Sequence, residues 1–267
     1  MVSYRLLLGA ALAAALSAPL FAQQAPTGFH SINCVKVRDG KGAEFSAWLE
    51  GTVQKVAQSG VDSGRIAGWL ALRTQIPQGS DAQCDYVLVT FYKGLPNEPL
   101  GSAAVTEMLK KAGVAMTEKE YRDKRDTMSY LVYNNITQYQ ALVGQAKKGG
   151  YLVFNSINAP DAGACVDYEK KVWQPIAEEM LKDGSRSGWA INTQVFPSGT
   201  KDRTAVSTVD LFPSWDAVMK QGDGFVARWK KVHPDMELGT TFEQFGKLCN
   251  IDNTVLYKVE EVTMASK

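Results

Sequence analysis

One stretch of this sequence occurs twice, and that repetition limits the fold more than any other feature. Residues 64–79 read GRIAGWLALRTQIPQG and residues 184–199 read GSRSGWAINTQVFPSG. Gly68, Trp69, Pro77 and Gly79 therefore match Gly188, Trp189, Pro197 and Gly199 at a constant offset of 120 residues. Upstream, FHSINCVK from Phe29 aligns with YLVFNSIN from Tyr151, which sets Asn33 against Asn155 and His30 against Leu152 at an offset of 122. A period this long is not that of a solenoid, whose units span some 20–50 residues; it means two copies of a small domain.

Within each copy the hydrophobic period alternates between two and 3.6 residues. GFHSINCVKV reads as a strand closed by the turn DGKG, and Phe45, Trp48, Leu49, Val53, Val56 and Ala57 then mark one buried helical face up to Gly60. RIAGWLALRTQIP and CDYVLVTFYK are two further strands, a helical region from Ser102 to Tyr130 is interrupted around Gly113, and LVYNNITQYQAL is the last strand. The second copy repeats the order with YLVFNSINA, a helix over 166–182, SGWAINTQVF, TAVSTVDLF, a helical stretch over 214–248 and TVLYKVEEV. Pro175 is expected to bend the first helix of that copy or to mark an irregular entry to it. The copies span 27–143 and 151–264, and GQAKKGG at 144–150 joins them.

The first 22 residues stand apart. Arg5, the apolar LLLGAALAAAL and the small-residue region SAPLFAQQ form the pattern of a cleaved secretory signal peptide. The apolar run falls short of the roughly 20 residues that a spanning helix needs. Export, to a periplasm or beyond the cell, is thus expected, with no stable membrane insertion after cleavage. The chain has 29 basic and 28 acidic side chains, and loss of Arg5 leaves 28 of each. A balanced mature chain offers no whole-protein field for nucleic acid.

The order strand, helix, strand, strand, helix, strand is the ferredoxin-like βαββαβ pattern, an antiparallel sheet with both helices on one face. Such a sheet leaves its other face bare, and a second copy in the same chain supplies the cover. The whole mature chain thereby resembles the dimeric α/β barrel superfamily in its tandem form. The expected class is α+β, with two tandem repeats packed sheet to sheet as an intramolecular barrel that one monomer suffices to complete. The Gly-Trp, Pro-x-Gly and WKKVHPDM segments also resemble exported bacterial proteins of that architecture, and this resemblance carries no activity with it.

The chemistry-bearing residues are few. Asn33 and Asn155 occupy the same strand position in both halves, so a pseudo-twofold axis would relate two amides able to orient a polar ligand; structural hydrogen bonds are their ordinary alternative. Trp69 and Trp189 read as walls of an aromatic pocket or as core. Asp210, out of phase with Val209 and Leu211, is expected to face away from the helices, as a general base if it lies in the barrel or otherwise in a salt bridge. His30 opens a strand as an edge or core side chain. His233, before Pro234, sits where a histidine caps helix carbonyls. The superfamily's haem-binding members single out His233 for axial ligation, but the chain has no GxxDG pattern, and QGDG at 221–224 does not supply one.

Two classes of function follow: a module binding a small, partly apolar molecule between the sheets, or, as the resemblance implies, a cofactor-independent or haem-dependent oxidoreductase of monooxygenase-like type. A structural or interaction protein with a filled barrel is the third reading. P-loop, GxSxG and CxxC signatures are missing, so no cofactor and no metal are expected. Four cysteines in an exported chain favour disulfides. Cys165 and Cys249 fall at the same end of the split fold and are expected to bond. Cys34 and Cys84, carried by adjacent strands, are the second expected pair, although their offset along the ladder works against closure.

Overall fold

The computed structural model describes residues 28–95, 100–198 and 205–264; the expected signal segment and Gly199 lie outside them. The first repeat contains β1 (Phe29–Val37), α1 (Gly42–Trp48), a π-helical turn (Leu49–Val53), α2 (Gln54–Asp62), β2 (Gly68–Ile76), β3 (Tyr86–Tyr92), α3 (Ser102–Lys111), α4 (Glu118–Met128) and β4 (Ser129–Gly144). The second contains β5 (Tyr151–Asn158), α5 (Ala162–Lys182), β6 (Gly188–Phe196), β7 (Val206–Phe212), α6 (Trp215–Met219), α7 (Phe225–Val232), α8 (Leu238–Leu248) and β8 (Asn250–Met264). Gly113, at a φ of 66°, ends α3, and Thr117 opens α4 with a capping box to Glu120. The helical stretch expected over 214–248 divides into α6, α7 and α8, with Gly224 at a φ of 68° before α7. Pro175 lies inside α5. In both copies the proline of the repeated motif follows a cis peptide bond, at Ile76–Pro77 and Phe196–Pro197.

Each repeat forms a sheet of ferredoxin-like order, β4-β1-β3-β2 and β8-β5-β7-β6, and the two join into one closed antiparallel barrel. Closure depends on β4 and β8, which at 16 and 15 residues are long enough to pair within their own sheet and then with the other. β4 leaves β1 for β6, and β8 leaves β5 for β2. Register shifts at Ile136/Thr137 and Tyr139/Ala141 on β4, and at Ala71/Leu72 on β2, occur along those joints. Bulges of this kind let a strand bend around a corner while its backbone groups stay paired.

Alternation along each strand then divides the side chains between two environments. Val35, Trp69 and Tyr86 meet α1 and α2, while Trp189, Ile191 and Ile157 meet α5. Leu70, Leu72, Val87, Leu152 and Leu211 point into the barrel. Gly144, where β4 ends, has a φ of 70°, and a Cβ there would lie 2.2 Å from the Ser187 carbonyl oxygen, so the chain can turn into the linker only at a glycine.

Both disulfides are formed. Cys165, in the first turn of α5, bonds Cys249, which follows α8, with Cα atoms 5.4 Å apart. Cys34 bonds Cys84 across 5.2 Å. The ladder offset is absorbed because the chain turns before β3: the Asp85 N–H donates to the Val35 carbonyl (2.9 Å) and the Asp85 carboxylate accepts from the Val37 N–H (2.8 Å). A non-reducing peptide map should recover these two pairs; four free thiols would contradict them. Replacing Cys165 and Cys249 together by Ala should lower unfolding free energy by about 2–4 kcal/mol in a denaturant titration, because the bond closes a long loop of the unfolded chain.

Candidate functional site

The barrel encloses a cavity of about 640 Å³, bounded by strands of both repeats. Its walls are mostly aliphatic and aromatic: Ile32, Leu72, Val89, Phe91, Leu152 and Phe154 are representative. Among the described residues no Asp, Glu, Lys or Arg lines it. A space of this size and character matches the pockets that hold small organic ligands, which commonly enclose about 300–1,000 Å³.

Polar groups enter this lining at a few points, and three of them cluster. His30 on β1 is 4% exposed, its ring centroid 4.6 Å from that of Tyr139 and 5.7 Å from that of Phe91. Burial pushes the imidazole down to about 3, so the ring is neutral across the physiological range. Asn192 on β6, 2% exposed, pairs across the ladder with Tyr139 on β4. Neither His30 Nδ1 nor Asn192 Oδ1 has a hydrogen-bond partner in the protein. A buried polar atom left unpaired costs about 1–3 kcal/mol. Burial also raises the phenols of Tyr133, Tyr139 and Tyr257, so these line the space as neutral hydroxyls.

The amides and tryptophans weighed as cavity residues take their structural alternatives instead. Asn33 and Asn155 do occupy equivalent strand positions, but on the helix side of the sheets. Asn33 Nδ2 donates to the Leu88 carbonyl (3.3 Å) and its Oδ1 accepts from Asn134 Nδ2 (2.7 Å). Asn155 Nδ2 donates to Thr208 Oγ1 (3.1 Å) and its Oδ1 accepts from the Thr254 hydroxyl (2.7 Å). Parity is the reason: Ile32 and Phe154, one residue away, take the inward positions. Trp69 and Trp189 are buried in the helix–sheet cores of the first and second repeats.

Asp210 is also reversed from the expected face. Val209 and Leu211 point into the barrel, so Asp210 points to the helix layer, where it pairs with Arg186 at 2.5 Å. His233 caps the end of α7, with Nε2 2.8 Å from the Val172 carbonyl oxygen and its ring packed on Trp229 at 4.8 Å. Neither reaches the cavity. His233 thus does not fit the role of a haem axial ligand, and the described lining offers no cation to the propionates of a haem. The cavity residue best exposed by the repeat itself is Asn192, which stands where the first copy has Leu72.

Beneath α5 a second buried polar group forms around Glu169, which is 4% exposed. Burial pushes its carboxyl up to about 8, the Asp210 charge adds to this, and Arg186 opposes it. Glu169 is therefore largely protonated in the folded protein at neutral pH.

No protein-family profile matches the sequence, and no curated protein matches it. Solved structures do. A candidate monooxygenase from Lactobacillus acidophilus NCFM is 7% identical with a TM-score of 0.56, over 89% of this chain and 96% of that one. A candidate monooxygenase from Fusobacterium nucleatum is 9% identical with a TM-score of 0.56, over 89% and 94%. These likenesses show the fold, the dimeric α/β barrel, completed here within one polypeptide.

The Glu169 environment predicts a pH dependence. Its folded value of about 8 lies above the ordinary 4.5, so its contribution to stability is present below about 4.5 and is lost as pH rises through 8. Glu169→Gln should remove that loss and gain roughly 2–4 kcal/mol on the wild type at pH 8.5 relative to pH 5. Denaturant titrations at the two values check it; an unchanged difference would mean that Glu169 is ionised when folded.

Proposed function

We propose that the protein binds a small, partly apolar molecule inside the barrel. The observation that carries this reading is the cavity of about 640 Å³, apolar in its walls yet holding two buried polar atoms without partners. A filled barrel would have no such space, and an unpaired amide oxygen in it would only destabilise the fold. Two buried disulfides support action outside the cytoplasm.

An oxidoreductase of monooxygenase-like type is the second reading, supported by the likeness to the two candidate monooxygenases. At 7% and 9% identity that likeness carries the fold and not the chemistry. Asp210 and His233 lie outside the cavity, which leaves His30 as the titratable imidazole in it. With its ring held to about 3, His30 is a poor base at neutral pH and suits hydrogen bonding better.

The test is a thermal-shift and calorimetric screen of mature protein against small uncharged aromatic molecules. A ligand at a hundred times its Kd should stabilise the fold by about 2.7 kcal/mol. Ala190→Phe, which places a ring in the cavity from β6, should abolish that shift while the protein stays folded. No shift from any compound, together with strong destabilisation by Ala190→Phe, would favour a filled barrel instead.

A further inference from the structure

The two halves of the barrel share a backbone but not a lining. On one wall, β4 runs between β1 and β6, and there His30 faces Thr137 while Asn192 faces Tyr139. On the opposite wall, β8 runs between β5 and β2, and there Leu152 faces Tyr257 while Leu72 faces Val259. The repeat therefore sets His30 against Leu152, Asn192 against Leu72 and Tyr139 against Val259. All three polar residues stand on one wall, and all three apolar counterparts on the other. Leucine and valine at the matching positions show that the barrel closes without polar side chains there.

Resting on the reading of the cavity as a binding site, we infer that its occupant is an uncharged, largely apolar molecule whose hydroxyl lies against His30 and Asn192. Asn192 Oδ1 requires a donor, which excludes a ketone or ether as the group that satisfies it. A neutral imidazole protonated at Nδ1 donates to the hydroxyl oxygen, and the hydroxyl proton then goes to Asn192 Oδ1. One alcohol or phenol seated within reach of both would pair the two orphaned atoms, whose residues each adjoin Tyr139. The stacked rings of Phe91 and Tyr139, centroids 6.1 Å apart at 8°, provide a flat apolar surface beside that point. Charged groups are excluded by what the described lining lacks: a carboxylate would meet the Asn192 oxygen with no cation nearby, and an ammonium would find no anion.

Calorimetry with naphthalene, 2-naphthol and 2-naphthoate on the mature protein tests this. The expected result is 2-naphthol binding at least about tenfold tighter than naphthalene, and no binding of 2-naphthoate; a tenfold ratio corresponds to about 1.4 kcal/mol, within reach of satisfying buried polar atoms. His30→Leu and Asn192→Leu, each copying the opposite wall, should erase the preference of 2-naphthol over naphthalene, and both should raise the melting temperature of the unliganded protein. Equal affinity for naphthalene and 2-naphthol would overturn the inference and leave the binding reading standing. A preference for 2-naphthoate, or a lower melting temperature in Asn192→Leu, would also overturn it. Failure of all three probes on the wild type would remove the binding reading and this inference together.

Discussion

Everything in this structure depends on two sheets that are each apolar on both faces. One face of each is covered by its own helices, and nothing within the repeat covers the other. Burial of apolar area, worth about 25 cal/mol per Å², favours bringing the bare faces together. Facing sheets alone would leave four strand edges with unpaired backbone groups. The length of β4 and β8 resolves this, since each strand finishes in the other repeat's sheet and the barrel closes without an edge along those joints. Hydrophobic contact thus brings the halves together, and the crossing strands fix their register.

That closure also sorts the polar groups. The carboxyl groups and guanidinium of Glu169, Asp210 and Arg186 lie between sheet and helix in the second repeat, where Arg186 offsets part of the cost of burying the Asp210 charge. The barrel interior receives hydroxyls, the amides of Asn192 and Gln145 and an imidazole held neutral. A charged ligand would therefore have to leave water for a space in which nothing compensates it. The chemistry available inside is hydrogen bonding on an apolar background, and this narrows the occupant more firmly than the shape of the cavity does.

The fold was legible in the sequence because Gly68-Trp69 and Gly188-Trp189 keep their spacing to Pro77 and Pro197, and because strand and helix periods follow one another in the same order twice. The site was less so, and strand parity explains why. When both faces of a strand are buried, the apolar pattern no longer tells which set meets the helices and which meets the barrel. Asn33 and Asn155 could therefore be read either as cavity amides or as structural hydrogen-bonders, and they are the latter, whereas Asp210, expected on the inner face, faces the helix layer. Trp69 and Trp189 repeat because each is a packing residue of its own helix–sheet core. The residues that do line the cavity, His30 and Asn192, were visible as mismatches in the repeat, against Leu152 and Leu72.

Those mismatches bear on why both halves belong to one chain. A barrel assembled from two identical subunits must present every lining residue twice, so a polar group on one wall is repeated on the other. A ligand with one hydroxyl would satisfy one copy and leave its twin buried and unpaired, at the usual cost of about 1–3 kcal/mol. Covalent linkage of the halves removes that constraint, because each repeat then accepts substitutions independently. Here His30 and Tyr139 come from the first repeat and Asn192 from the second, and they converge on the wall where β4 crosses from one sheet to the other. Leu152, Leu72 and Val259 leave the matching positions of the opposite wall apolar, where the phenol of Tyr257 is the polar group. The tandem arrangement therefore gives an almost symmetric backbone two walls of different polarity, with His30 and Asn192 on one of them, and with it the ability to hold an asymmetric molecule in one orientation.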